Sequence, residues 1–482
     1  MIAQRRFGAL DDAFDMAIVG GGATGLGAAV DAASRGCTVA LIEAGDFGCG
    51  TSSRSTKLIH GGVRYLAEGD VHLVREALRE RAILRANAPT IVHDLAFIAP
   101  AYRWYEAPYY FAGLTAYDVL AGRASFGRST YLSARRTLER LPAIRARGLY
   151  GSIRYHDGQF DDARLAVALM RTAVRLGAVV VNYARAVGFE RSRERITGVR
   201  VRDAESGAEC TVRARVVINA AGTFADEVRR MAEPAAPPLL SLSRGSHIVV
   251  RRELFPGEDA LLVPKTDDGR VLFVIPWHGH VVIGTTDLPE AAPLADPAAS
   301  AAEIAYLLEH ASRYLARPLE AQDITASFCG LRPLVNRHAA TTAKLSREHA
   351  VEVTPSGLVS IVGGKWTTYR KMAADAIDAA IPAAKLAWAP SRTERLRLDD
   401  DVSAERAALV AEDATLGTRL CDGLPYTRAD AVAAVRYDMA RTVDDVLKRR
   451  TRIGFLDTAA AAACTPVVEE ILARERARAW RA

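Results

Sequence analysis

An apolar run over residues 15–19 leads directly into Gly20-Gly21-Gly22-Ala23-Thr24-Gly25, and a helix-forming stretch, residues 26–34, follows. A second apolar run over residues 38–42 ends on Glu43 and Ala44. Strand, glycine turn, helix and strand in that order commit this end of the chain to a parallel α/β unit. Gly20 permits the tight turn, Gly22 lets the backbone approach a pyrophosphate, and Gly25 lets helix and strand pack closely. The helix start, which includes Thr24, offers free N–H groups and the positive end of its dipole to phosphate. Glu43 stands 18 positions beyond Gly25, where a carboxylate accepts hydrogen bonds from a ribose 2′-hydroxyl and disfavours a 2′-phosphate. Together these features imply that the chain binds an adenine dinucleotide.

A chain of 482 residues exceeds a single core, so two or three domains are expected. The formal charge of +6, from 63 basic and 57 acidic residues, is a mild excess that gives no motif-level support for nucleic-acid binding. Six cysteines are scattered without a C-x-x-C pair, which suits reduced thiols in a cytoplasmic setting and argues against a disulfide framework or a metal site. Residues 1–15 carry two arginines and three aspartates and have no apolar signal core. No apolar stretch approaches the ~20 residues of a membrane span, so any membrane contact is expected to be peripheral.

A glycine- and serine-rich loop at residues 45–55 follows the first unit, then an amphipathic helix at 71–86. Tyr102, Trp104, Tyr105, Tyr109, Tyr110, Phe111 and Tyr117 crowd residues 99–122. Residues 162–219 read as a further α/β segment, and residues 240–290 alternate as strands. A helix is expected over 367–381, and beyond the charged stretch at 390–400 the chain reads as mostly helical. The glycine turns at Gly22, Gly222 and Gly364 fall where an open α/β sheet converges on its ligand.

The stretch Thr51-Ser52-Ser53-Arg54-Ser55-Thr56-Lys57-Leu58-Ile59-His60-Gly61-Gly62-Val63-Arg64-Tyr65-Leu66 resembles the flavin-binding segment of FAD-dependent glycerol-3-phosphate dehydrogenases. The blocks Arg244 to Val250, Phe273 to Trp277, Gly284 to Asp287, Gly330 to Leu334 and Gly363 to Arg370 agree with it, as does the tail from Tyr437 to Asp457. The likeness covers nearly the whole chain, in order. With no D-x-D-x-D-G calcium loop, it is to the bacterial form of the family.

The resemblance implies an α/β fold: a Rossmann-like FAD-binding domain of the D-amino-acid-oxidase-like type, a β-rich substrate cap and a C-terminal all-helical domain. The expected segments are 14–98, 155–230 and 326–385 for the FAD domain, and 99–154 for a membrane-facing insertion. The cap is expected over 231–325 and the helical domain over 386–482. The implied reaction oxidises sn-glycerol 3-phosphate to dihydroxyacetone phosphate, by hydride transfer from C2 to N5 of non-covalently held FAD, with quinone as acceptor. An oxygen-dependent oxidase of the same substrate is the alternative, and an amine or 2-hydroxy-acid flavin oxidase a more distant one. A peripheral location on the inner face of the cytoplasmic membrane is implied, and a homodimer is the default assembly.

Holding a phosphate dianion calls for arginine forks and a lysine, and the motifs offer Arg64, Arg332, Arg347 and Lys365. Arg347 stands in a less distinctive run and reads equally as a solvated residue; Tyr65 reads as a pocket residue or as packed core. His247 is the expected base, because imidazole accepts a proton at neutral pH and guanidinium does not. Arg332 then stabilises the developing alkoxide, and the reverse assignment is the alternative. The expected FAD ligands are Gly20, Gly22, Thr24, Gly25, Glu43 and Ala44; Thr51, Ser52, Ser53, Ser55, Thr56, Lys57, Leu58, Gly61 and Gly62; and Gly222, Gly364, Lys365, Trp366 and Thr367. Arg103, Arg123, Arg128, Arg135 and Arg136, with the aromatics of 99–122, are expected to face anionic lipid; a cap core with a basic rim is the plainer reading.

Overall fold

The computed structural model describes residues 5–62, 70–336 and 349–479, so Arg64, Tyr65 and Arg347 lie outside the described residues. Ala13–Val19 pairs in parallel with Val39–Ile42 on one side and with Glu209–Asn219 on the other. Val179–Val181 extends the first side and Leu358–Gly363 the second, again in parallel. Chain order therefore reverses at Ala13–Val19, and the crevice at the carboxyl ends of these strands is where such a sheet takes its ligand. An antiparallel His349–Val353 and the hairpin Ala184–Ser192 with Arg195–Asp203 complete eight strands among the described residues. Both faces of the sheet are covered. Met16, Ile18, Leu41 and Ile218 pack on one side with residues of helices Ala23–Ser34, Asp162–Arg175 and Tyr369–Ala383, while Ala17, Val19, Ala40 and Val217 fill the other. Continuous apolar runs, not alternation, are the pattern that double burial requires.

A second, mixed sheet of ten strands stands against the first. Its spine, Leu240–Arg251, pairs antiparallel with Ile324–Val335 and with His280–Gly284. The sheet continues through Leu272–Trp277, Ala260–Val263, Val92–Ala101 and Gly151–Phe160 to the two-residue strand Leu58–Ile59. Three expected segment limits fall inside strands of this sheet: 98/99 within Val92–Ala101, 154/155 within Gly151–Phe160 and 325/326 within Ile324–Val335. The cause is physical: an apolar run announces a strand, while its partners in the sheet lie far away along the chain.

The aromatic stretch folds as the end of Val92–Ala101 and the helix Glu106–Ala121. Tyr117 is buried, whereas Trp104, Tyr105, Tyr109 and Phe111 are exposed. Beyond residue 400, the helices Ser403–Glu412, Arg428–Arg436, Ile453–Leu456 and Thr458–Ala479 share one apolar core with Val249, Trp277, Val282, Ala326 and Phe328 of the second sheet. All six cysteines are free thiols. Among the described residues no helix is long and apolar enough to cross a membrane, and no cluster of His, Cys, Asp and Glu is arranged to hold a metal ion.

Candidate active site

Four strand ends build one side of the site. Gly20, at φ +113°, closes the turn after Ala13–Val19, and a Cβ there would collide with the Ala220 carbonyl at the end of the neighbouring strand. A side chain at Gly25 would likewise strike the Gly20 carbonyl. Gly22 differs: a Cβ there meets Ser52 Oγ at 3.1 Å and nothing else within 4 Å among the described residues. The missing side chain leaves a cradle at the helix start, which includes Thr24, lined by N–H groups and by the Ser52 hydroxyl that accepts from Ala23 N at 2.9 Å. Glu43 ends the next strand, its carboxylate accepting from Gly21 N at 2.6 Å and Gly45 N at 2.7 Å, with Ala44 between them. Burial pushes its carboxyl up against those two donors. Gly222 and Gly364, at φ +57° and +77°, end the remaining two strands. These residues fit an adenine dinucleotide: the cradle would suit a pyrophosphate, and the spare lone pairs of Glu43 would suit ribose hydroxyls.

The stretch from Thr51 to Gly62 is a strap bound to the protein along most of its length. Thr51 Oγ1 donates to Leu331 O at 2.5 Å, and Ser55 donates through N and Oγ to Asp162 Oδ2 at 2.9 and 2.7 Å. Trp366 Nε1 donates to Ser52 O at 2.9 Å, and Thr367 Oγ1 to His60 O at 3.4 Å, so the turn carrying Lys365 is tied to the strap by its neighbours. The Ser53 carbonyl accepts from Lys57 Nζ at 2.8 Å and from Arg452 Nη2 at 2.9 Å. Leu58 enters the second sheet, Gly61 N donates to Tyr117 Oη at 2.7 Å, and Gly62 takes φ +79°. The Lys57 ammonium is fully buried. It lies 2.8 Å from Asp162 Oδ2, among the rings of Trp277, Phe328 and Phe455.

The second sheet supplies the other side. His247, 2% exposed, lies opposite Gly284 on one neighbouring strand and Phe328 on the other. A Cβ at Gly284 would overlap the imidazole, which accounts for glycine there, and the ring stacks on Phe328 at 4.6 Å with 14° between planes. Its Nε2 shares a hydrogen bond with Thr56 Oγ1 at 3.0 Å, while buried Nδ1 has no hydrogen-bond partner among the described residues. Burial first, then the Lys57 and Arg332 cations, hold its pKa well below the usual value of 6.5. Arg332 lies across Gly245, where a Cβ would strike the guanidinium. It donates to Thr285 Oγ1 at 2.9 Å and Thr286 O at 3.1 Å, and Asp287 lies 3.6 Å away. The glycines of two sequence blocks, Gly245 and Gly284, thus make room for the two candidate side chains of the site.

The structure thus joins His247 to Thr56 of the strap and sets Arg332 beside it. It also shows residues that pattern reading did not pick out: Phe328 under the imidazole, Asp162 gathering Ser55, Lys57 and Arg452, and Arg452 with Phe455 arriving from the helical domain. Only the acid pair Asp161-Asp162 at a helix start carried a local signal, because N-terminal acids cap helices.

The fold and the site define an FAD-dependent oxidoreductase with an added helical domain. The FAD dependent oxidoreductase family profile matches residues 15–370, and that of the C-terminal domain of alpha-glycerophosphate oxidase matches residues 400–480. The glycerol-3-phosphate dehydrogenase of Mycobacterium leprae (strain TN) is 39% identical over 506 residues, spanning 98% of this chain and 86% of that protein. The mitochondrial glycerol-3-phosphate dehydrogenase of Mus musculus is 39% identical over 513 residues, spanning 96% of this chain and 70% of the mouse protein. The crystal structure of glycerol-3-phosphate dehydrogenase from Bacillus halodurans complexed with FAD superposes with a TM-score of 0.77 at 28% identity, covering 97% of this chain and 92% of that one. The chain belongs to the FAD-dependent glycerol-3-phosphate dehydrogenase family, and FAD is its cofactor.

Proposed function

We propose that this protein oxidises sn-glycerol 3-phosphate to dihydroxyacetone phosphate and passes the electrons to a quinone. The observation that carries this reading is the buried imidazole of His247, bonded to Thr56 of the flavin-side strap, with Arg332 beside it. The names of the relatives supply the substrate.

Bound FAD supplies the two-electron acceptor for the hydride that leaves C2. The cradle at Gly20, Gly22 and Gly25 with Glu43 would hold its nucleotide half, and the turn of Lys365, Trp366 and Thr367 its ring half. His247 takes the proton of the C2 hydroxyl as the carbonyl forms. Its low pKa keeps it unprotonated through neutral pH, and an arriving phosphate dianion raises its basicity toward that of ordinary imidazole. Arg332, anchored by Thr285 and Thr286, stabilises negative charge on the same oxygen. The exposed aromatics Trp104, Tyr105, Tyr109 and Phe111, with exposed Arg103, Arg128, Arg135 and Arg136, suit docking to an anionic membrane surface, where quinone is dissolved.

The test is anaerobic mixing of the FAD-loaded protein with sn-glycerol 3-phosphate. Loss of the oxidised flavin band, with no change when glycerol replaces the phosphate ester, is the expected result. Rapid return of colour with quinone and slow return with oxygen separates the dehydrogenase from the oxidase. A fully loaded protein that does not bleach overturns the reading.

A further inference from the structure

We propose that Lys57 is a positioning residue for the reaction: a buried cation, seated in an aromatic box closed by the helical domain, that keeps the His247 imidazole unprotonated and ready to accept a proton. The proposal rests on the catalytic role given to His247 above and adds a buried charge that, beside burial itself, opposes its protonation.

The geometry is a stack running from the helical domain to the base. His247 lies on Phe328 at 4.6 Å between centroids, and Phe328 meets Phe455 at 5.1 Å. The Lys57 ammonium sits 4.8 Å from the Phe328 ring centre, 5.2 Å from Trp277 and 5.7 Å from Phe455. Arg452 closes the box, its guanidinium 5.1 Å from Trp277 and 4.8 Å from Phe455, donating to Asp162 Oδ1 at 2.9 Å. Lys57 and Arg452 are both fully enclosed, and they share one carboxylate, Asp162, and one carbonyl, Ser53. Asp161 lies 3.6 Å from Arg452 and is itself paired with His278 at 3.2 Å.

The charges that bear on His247 are therefore two cations, Lys57 from the strap and Arg332 from the second sheet, and both oppose its protonation. Arg332 is mostly committed to Thr285 and Thr286 and is given above to the substrate, where bound negative charge offsets it. Lys57 is fully buried, so solvent does not screen its influence on the base. Backbone and side chain act together here: Thr56 bonds the imidazole, and Lys57, the next residue, takes φ +64° and turns its ammonium behind Phe328. Burial and the neighbouring Arg452 draw Lys57 down to about 7, against the pull of Asp162. Arg452 thus limits how firmly Lys57 holds its proton, and the helical domain reaches the base without touching it.

The experiment is a pH titration of FAD-loaded full-length protein labelled at histidine Cε1, read by NMR, with His247→Asn identifying the His247 signal. In the unsubstituted protein that signal is expected to stay neutral well below pH 6.5. Lys57→Met is expected to raise its midpoint by on the order of one pH unit, and the acid limb of kcat/KM by the same amount. Arg452→Met strengthens the Lys57 cation and is expected to leave the midpoint at its original pH or lower it. An unchanged midpoint in Lys57→Met overturns the proposal. If that variant does not retain FAD, Lys57→Gln, whose amide still donates toward Ser53 O and Asp162, decides: a raised midpoint supports the proposal and an unchanged one overturns it. The titration needs no turnover, so a protein that fails to bleach with sn-glycerol 3-phosphate sinks the proposed function separately.

Discussion

Two of the buried charge clusters that fasten the helical domain to the flavin domain answer burial in different ways. In one, Asp46, just past the Glu43 turn, accepts from Arg449 Nε at 2.5 Å and from Arg450 Nη1 and Nη2 at 2.6 and 2.9 Å. Arg449 also pairs with Asp445, which accepts from Tyr183 Oη at 2.7 Å, and Asn182 donates to Asp46 at 3.3 Å. Acids and arginines balance there, and the arginines draw the Asp46 carboxyl down to about 2. In the other cluster, Lys57 and Arg452 share Asp162 inside three aromatic rings, Asp161 lies 3.6 Å from Arg452, and burial draws Lys57 down to about 7. Where carboxylate and guanidinium contacts outweigh burial, the members stay ionised and the cluster serves as a clamp. Where burial outweighs the one carboxylate on a lysine, that lysine is held near neutrality, and its charge depends on its neighbours.

Replacing the acid in each cluster gives the largest effect and separates the two roles. Asp46→Asn removes the carboxylate shared by Arg449 and Arg450, and Asp162→Asn the one shared by Lys57 and Arg452; each is expected to cost about 3–5 kcal/mol in urea unfolding. The consequences for turnover differ. Folded, FAD-loaded Asp46→Asn is expected to keep its kcat at neutral pH, since nothing in that cluster touches the strap near Thr56. Asp162→Asn releases Ser55, Lys57 and Arg452 at once and is expected to lower kcat at least tenfold. Equal losses of kcat in the two variants would erase the distinction.

The pH dependence of stability sharpens it further, because the signs work in different windows. Asp46 has a folded value near 2 against an ordinary value of 3.8, so its contribution is fully present above pH 3.8 and is lost as pH falls toward 2. That amounts to about 2 kcal/mol. Lys57 has a folded value near 7 against 10.5, so the unfolded chain binds the extra proton between those values and stability rises with pH across that window. The slope is at most about 1.4 kcal/mol per pH unit. Urea midpoints at pH 7.5 and 9 are expected to rise in the unsubstituted protein and to rise less in Lys57→Met. A Lys57→Met variant with an undiminished slope would show that the lysine is not held near neutrality.

The clusters also mark where pattern reading stops. The nucleotide cradle was legible because it is local: strand, turn, helix and acid lie within 29 residues, from Asp15 to Glu43, and their spacing alone sets their geometry. His247 and Arg332 were legible only through blocks of residues, and the reason for those blocks, the room made by Gly284 and Gly245, needed the sheet register to be seen. Lys57 read as one more polar residue of a cofactor loop. Its ammonium is seated by a positive φ, a carboxylate 105 positions later and a ring 398 positions later, and no local pattern encodes such a meeting. Three expected segment limits fall inside strands of the second sheet for the same reason.

The smallest effects bear on whether each cluster works through its hydrogen bonds as described. Asn182 joins the clamp through Asp46 at 3.3 Å and the Met439 carbonyl at 2.9 Å, and Asn182→Ala is expected to cost about 1 kcal/mol of stability with no change in kcat. Thr56 joins the aromatic box to the base, and Thr56→Val keeps the shape while removing the hydroxyl on Nε2. Loss of one such bond is worth about 1 kcal/mol, so kcat/KM is expected to fall roughly fivefold while FAD content and unfolding midpoint hold. The imidazole then turns on Phe328 with only stacking to orient it, and the loss should appear in kcat more than in KM. A Thr56→Val protein with unchanged kcat would mean that Phe328 and the glycine at 284 orient the ring by themselves, and the tie between the strap and the base would be one of packing alone.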